Sequence, residues 1–210
     1  MTDHGDNRSG HSDPHEHGHG DGGHDHGPPV WRGLMRWLYP ILYRNPASNR
    51  LVVELAAVAS DDRVLDIGCG PGAAVRAAAP LVEEAVGADP SDRMLRMARR
   101  RSRALPNVRY YQAPAHELPF ADDLFTAVWT VHSMHHWGDE ASGISEVRRV
   151  LASGGRFLVV EQFDPGKPWG VDNAGIHRIA SMMRTAGFDD VQETKHRVGR
   201  ANEVVIEGRG

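Results

Sequence analysis

The sequence predicts a doubly wound α/β domain, a mostly parallel sheet covered by helices on both faces. Three observations carry this. Short apolar runs (VLDI, AVGA, FTAVWTV, RFLVVE) alternate with segments of helical period. A glycine turn, GCGPG, separates the first run from the helix after it. Two strand-like segments, VQETKHRV and NEVVIEG, close the chain around a turn at Gly199, which predicts one antiparallel hairpin at the sheet edge.

The elements follow in order. Trp31, Leu34, Met35, Leu38, Ile41 and Leu42 recur at helical spacing, and Pro40 kinks or splits that helix. Residues 30–46 are read equally as a packed helix or as a lid over a pocket. Pro46 and Ala47 start a second helix that runs to about Ala59. DDRVLDI is the first strand and AAVRAAAPLVEE its helix. AVGA is the second strand, ended by Asp89 and Pro90, with Ser91 as the N-cap of DRMLRMARRRSRAL. NVRYYQA and LFTAVWTV are the third and fourth strands. A helix from Asp139 to Leu151 stops at Gly154-Gly155 before the strand RFLVVEQ. NAGIHRIASMMRTAG is the last helix, with Gly187 as its C-cap.

Composition narrows the function. The 210 residues suffice for one domain with a core, and 40% of them are hydrophobic, as in ordinary globular chains. A lone cysteine, Cys69, excludes an internal disulfide and a cysteine-based zinc cluster. No apolar run approaches a membrane span, and the N-terminus lacks the apolar core of a signal peptide, so the expectation is a soluble cytoplasmic protein. Residues 1–29 are built from Gly, His, Asp and Ser and read as a disordered tail. The tail carries seven of the thirteen histidines and six acids against Arg8. Removing these from totals of 28 acids and 24 bases leaves 22 against 23, too near neutral to call for a nucleic-acid partner. The tail is read as solvated or as a weak metal chelator. On the second reading the chain is a metal-responsive binding protein with this fold, and that is the alternative to an enzyme.

The chemistry sits at Asp66-Ile-Gly-Cys-Gly-Pro-Gly72. Glycines there let a ligand approach the main chain, and the helix start offers free N–H groups. Asp89, at the end of the second strand, is placed to hydrogen-bond both hydroxyls of a ribose. Together these make a nucleoside-cofactor site. Gly68-x-Gly70-x-x-Ala73 also fits the dinucleotide fingerprint, but Asp66 suits a cofactor bearing an ammonium group, and no separate substrate domain is expected. No P-loop signature is present.

VLDIGCGPG resembles motif I of the class I S-adenosylmethionine-dependent methyltransferases, and the likeness is nearest to their small single-domain type 11 group. GADPSDRML resembles their second motif, HELPFADDLFTAVWT the third and fourth, and RRVLASGGRFLVVE the strand-five block. The resemblance covers residues 47–163 well and the terminal hairpin loosely. It implies a Rossmann-like, seven-stranded, mostly parallel sheet with an antiparallel C-terminal strand. It implies that Gly68, Cys69, Gly70 and Gly72 cradle the methionine end of S-adenosylmethionine, with S-adenosylhomocysteine as product. By the same likeness Asp66 serves the amino group, Asp89 the ribose, Pro90 and Met94 the adenine surroundings, and Thr130 the methionine part. Where relatives often have Gly-Asp-Ala-Glu before Leu-Pro-Phe, this chain has Ala113-Pro114-Ala115-His116-Glu117. Adenine contact then falls to the backbone at Ala115 and His116.

The expected function is methyl transfer to a small-molecule acceptor by in-line displacement. A base is needed only where the acceptor must lose a proton. VWTVHSMHHWGDE places His132 and His135 on the acceptor side, as a base or as pocket wall, and His136 in ordering the loop. The run Arg93, Arg96, Arg99, Arg100, Arg101, Arg103 reads as a solvated helix face. Trp31, Trp37, Tyr39 and Tyr43 are expected to roof the acceptor pocket.

Overall fold

The computed structural model describes residues 46–167 and 170–210. The tail, the 30–45 segment and its aromatic side chains lie outside these. A seven-stranded sheet runs in the order β3-β2-β1-β4-β5-β7-β6. The strands are β1 (Arg63–Ile67), β2 (Glu84–Ala88), β3 (Val108–Tyr111), β4 (Phe125–Val131), β5 (Leu151–Gln162), β6 (Asp189–Val198) and β7 (Ala201–Arg209). β1 to β5 pair in parallel, and β7 inserts antiparallel between β5 and β6.

Among the described residues five α-helices flank the sheet: α1 (Pro46–Ala56), α2 (Ala73–Ala78), α3 (Asp92–Arg101), α4 (Glu140–Val150) and α5 (Asn173–Thr185). Two cores form because successive side chains of a strand face opposite ways. Phe157 and Val159 of β5 join Ile144, Val147, Ile176 and Met183 of α4 and α5. Leu158 and Val160 join Val52 of α1, Val75 of α2 and Leu95 of α3.

Helix boundaries follow local chemistry. Ser91, Asp139 and Asp172 cap α3, α4 and α5 by accepting backbone N–H bonds from Met94, Ser142 and Gly175. At the end of α5, Gly187 has φ +89, and the N–H groups of Phe188 and Gly187 bond back to Met183 and Arg184. That is the two-bond glycine termination of a helix, with Gly187 one residue beyond the cap. Three boundaries differ from the sequence expectation. α1 stops at Ala56 because Ala57 turns left-handed, with φ +43. Pro80 lacks an N–H, and α2 tightens there into a 3-10 turn, Ala79–Leu81. α4 ends at Val150, before the glycine pair, because Leu151 already pairs with Phe125. The extension is locked where Gly154 and Gly155 exchange backbone bonds with Gly210.

The loop after β3 is held by one arginine. Arg149 donates to the carbonyls of Leu118 and Phe120 and to Asp122 and Glu146, while Glu146 accepts the N–H of Leu118. Phe120 stacks edge-on between Tyr111 and Phe125. Arg149→Ala removes the partner of two carbonyls and two carboxylates at once. At about 1 kcal/mol for each bond lost, it is expected to destabilise the fold by roughly 2–4 kcal/mol in urea unfolding. Arg149→Lys is expected to recover only part, because a point charge cannot reproduce the guanidinium fork.

Candidate active site

A cleft of about 650 Å3 opens at the carboxyl ends of β1, β2 and β4. This is where ligands bind in open α/β sheets. Of the residues that sequence pointed to, Gly68, Cys69, Gly70, Asp89, Pro90, Met94, Ala115, His116 and His132 line it. Asp66, Gly72, Thr130 and His135 do not.

The glycine loop is built around two requirements. Gly68 has φ +68, and a Cβ there would stand 1.7 Å from Ser133 Oγ. Its N–H and that of Cys69 both donate to the Ala88 carbonyl, tying the loop to the end of β2. Gly70 has φ +50 and nothing within 4 Å of an added Cβ, so its side-chain position faces open space. Gly72 instead makes room for a neighbour, since a Cβ on it would strike the Tyr110 hydroxyl at 2.2 Å. Burial pushes that phenol up to about 12.

Two buried carboxylates flank the glycine loop, of which Asp89 lines the cleft and Asp66 does not. Asp89 accepts the N–H of Ser91 through Oδ1 and of Gly70 through Oδ2, each at 2.8 Å. Burial still holds its pKa above the ordinary carboxylate value. Asp66 is 2% exposed, and burial, with the Asp89 charge added, pushes its pKa well up. Burial likewise raises the Cys69 thiol, so it is a poor nucleophile. Thr130 is fully buried, and its hydroxyl has no hydrogen-bond partner among the described residues.

The far end is formed by the segment after β4. Met134–His136 is a 3-10 turn, in which successive side chains point about a third of a turn apart. His132 and His136 therefore face the cleft, while His135 lies against Glu161, 3.4 Å from its carboxylate. The sequence expectation had paired His135 with His132 and assigned His136 to loop ordering. The two rings of His135 and His136 are 4.0 Å apart. Burial, and then the His135 charge, lower the pKa of His136, so it is neutral at pH 7.

His132 has φ +51, a left-handed backbone that side-chain-bearing residues seldom adopt. Its Nε2 lies 2.8 Å from Oε2 of Glu203, which is completely buried in β7. Ser48 of α1 donates to the other oxygen, Oε1, at 2.7 Å. Burial of the imidazole opposes its charge, but the Glu203 hydrogen bond and the Glu203 and Glu161 charges outweigh it and leave the pKa raised.

Sequence reasoning missed Glu203, Ser48, Arg50 and Trp137, the last two being cleft walls. Glu161 left one readable signal, a charged residue at the end of the apolar run FLVV. Among the described residues no group of three or more His, Cys, Asp or Glu side chains could hold a metal ion. No described helix is long and apolar enough to cross a membrane.

Residues 65–159 match the family model described as a methyltransferase domain. The chain is 37% identical over 120 residues to the uncharacterized methyltransferase YcgJ of Bacillus subtilis (strain 168), covering 56% of this chain and 47% of that one. It is 38% identical over 123 residues to the ubiquinone/menaquinone biosynthesis C-methyltransferase UbiE of Proteus mirabilis (strain HI4320), covering 56% and 49%. It thus spans about half the length of the curated relatives it matches. The solved structure of a SAM dependent methyltransferase from Aquifex aeolicus has the same fold, with a TM-score of 0.69 and 14% identity over 82% of this chain and 96% of that one.

Proposed function

We propose, from the membership of residues 65–159 in the methyltransferase domain family, that this chain transfers a methyl group from S-adenosylmethionine to a small-molecule acceptor. The observation that carries the reading is the pair of buried acids, Asp89 in the cleft wall and Asp66 at the end of β1, beside the glycine loop. Asp89 accepts the Gly70 N–H, an added side chain at Gly70 would meet open space, and Asp66 is buried two residues before the loop, which suits a ligand bearing a ribose, an ammonium and a sulfonium. When bound, S-adenosylmethionine supplies a methyl group on a good leaving group, so what the protein must do is largely hold the acceptor in line.

In this reading Asp89 accepts from the ribose hydroxyls and Asp66 stabilises the ammonium group. Gly68, Cys69 and Gly70 lie along the methionine part, with Gly72 and Thr130 supporting from behind. Pro90, Met94, Ala115 and His116 form the adenine end, and His132 stands at the acceptor end. His135 shapes that end from outside the cleft, through its contact with Glu161. The name of the Proteus mirabilis relative supports methyl transfer as the reaction.

Calorimetry of the full chain with S-adenosylhomocysteine tests this, and absence of binding would refute it. The Asp66 pKa adds a signature. In the free protein burial favours the neutral acid, whereas a bound ammonium favours the carboxylate. Binding therefore releases protons, and affinity falls as pH drops through the raised Asp66 value. Asp66→Asn is expected to remove that pH dependence and weaken binding by about tenfold or more, as loss of a hydrogen bond to a charged group of about 1.5–3 kcal/mol would. The same change is expected to raise the melting temperature of the free protein at pH 7. A carboxyl whose folded-state pKa is raised contributes stability fully present below its unfolded value and lost as pH rises through the folded value. Asn does not suffer that loss, so its advantage should vanish in acid.

A further inference from the structure

The group that fixes His132 has no part in holding the methyl donor, yet it is built with care. Glu203 is completely buried, and each of its oxygens has its own donor: Ser48 Oγ at 2.7 Å and His132 Nε2 at 2.8 Å. Where the Glu203 carboxylate accepts this bond, Nε2 carries the ring proton and Nδ1 keeps its lone pair. Nδ1 has no hydrogen bond among the described residues. The His132 side chain is 23% exposed and lines the cleft. It holds this place with φ +51, directly after β4 and at the ligand-binding edge of the sheet. Strain of this kind in a non-glycine residue persists only where the surroundings fix it, and it concentrates at working sites.

We infer that Glu203 is a positioning residue that makes His132 the proton acceptor for the incoming substrate, and that the methyl acceptor belongs to a class that reacts by losing a proton, such as a phenol. The inference rests on the methyl-transfer reading above. As the acceptor oxygen attacks, its O–H bond breaks and the proton passes to His132 Nδ1. An oxygen electron pair forms the new bond to the methyl carbon, and the carbon–sulfur bond breaks with its pair remaining on sulfur. The imidazolium, held by Glu203, then gives its proton to water. The charged groups that act on His132 are Glu203 from β7 and Glu161 from β5, while Arg50 of α1 and His136 line the same cleft and His135 lies against Glu161. A thioether or a tertiary amine would need no such pair.

The test is an NMR titration of the full chain with 13C-labelled histidine, His132 being assigned by its absence from His132→Gln. The wild-type ring should carry its proton on Nε2 and titrate above 6.5, the ordinary histidine value. In Glu203→Gln its pKa should fall, and Glu203→Asp should restore most of the shift. A purely structural Glu203 would change the melting temperature and leave the titration where it was, which overturns the inference. Tritiated S-adenosylmethionine is then offered with catechol and phenol, and separately with pyridine and dimethyl sulfide. Label should enter only the first pair. The acid limb of that turnover should follow His132, moving to lower pH in Glu203→Gln while the plateau falls. Label on pyridine or sulfide, undiminished in His132→Gln, overturns the inference. With no probe labelled, the titration alone decides. S-adenosylhomocysteine calorimetry keeps the two readings apart: loss of binding refutes the methyl donor, whereas Glu203→Gln should bind it normally.

Discussion

Asp89→Ala is expected to lower the affinity for S-adenosylhomocysteine by about two orders of magnitude or more. A hydrogen bond to a charged group contributes about 1.5–3 kcal/mol. Two such bonds to a ribose exceed the roughly 2.8 kcal/mol that a hundredfold change represents. The substitution also acts on the free protein, because Asp89 joins the Gly70 N–H to the start of α3 through Ser91. Losing those bonds loosens the glycine loop before any ligand arrives. Relief of the buried charge works in the opposite direction, so the melting temperature should change little while binding collapses. Asp89→Asn separates the two contributions. Its amide oxygen can still accept from one N–H and keep the loop in place, but it cannot accept from both ribose hydroxyls. An affinity within threefold of wild type in Asp89→Ala would show that the ribose lies elsewhere.

Gly68→Ala is the substitution expected to damage the fold most. A left-handed backbone costs a residue with a side chain about 1–2 kcal/mol. Overpacking a filled site adds roughly 1–3 kcal/mol. Here the new methyl would overlap Ser133 Oγ at 1.7 Å and Ser133 Cβ at 2.6 Å, and Ser133 is itself buried. The total of about 2–5 kcal/mol corresponds to a fall of roughly 5–15 °C in melting temperature for a domain of this size. The double variant Gly68→Ala/Ser133→Gly removes the overlap and keeps the backbone strain. It should recover the overpacking part and leave the rest. A single variant that melts within about 2–3 °C of wild type, on the same scale, would show that the β1 and β4 ends are not packed together as described.

The parts of the site that could be read from sequence are those whose physical cause is local. The three glycines of GCGPG mark turns because only glycine takes positive φ without cost, and all three have it. Ser91 could be placed as a cap because its partner is three residues away. The alternating apolar runs specified strands, and their order along the chain specified a parallel sheet. The histidines were legible as a cluster but not as individuals. Whether His135 or His136 faces the cleft is set by the tight 3-10 turn at Met134–His136, which hydropathy does not announce.

By itself the sequence determined the α/β architecture, the glycine turn and the acid two residues before it from residues within a few positions of one another, and Asp89 from its place at the end of the next apolar run. Tertiary structure alone decided what His132 can do. Its partner Glu203 lies 71 positions away, and Glu203 meets Ser48 across 155. Those separations close only because β7 inserts antiparallel beside β5, bringing Glu203 opposite Gln162 and into reach of the residue that follows β4. A glutamate in NEVVIEG looks like any solvent-facing residue of an edge hairpin. Burial and two donors make it the group that holds the imidazole, and neither can be read from its neighbours in the chain.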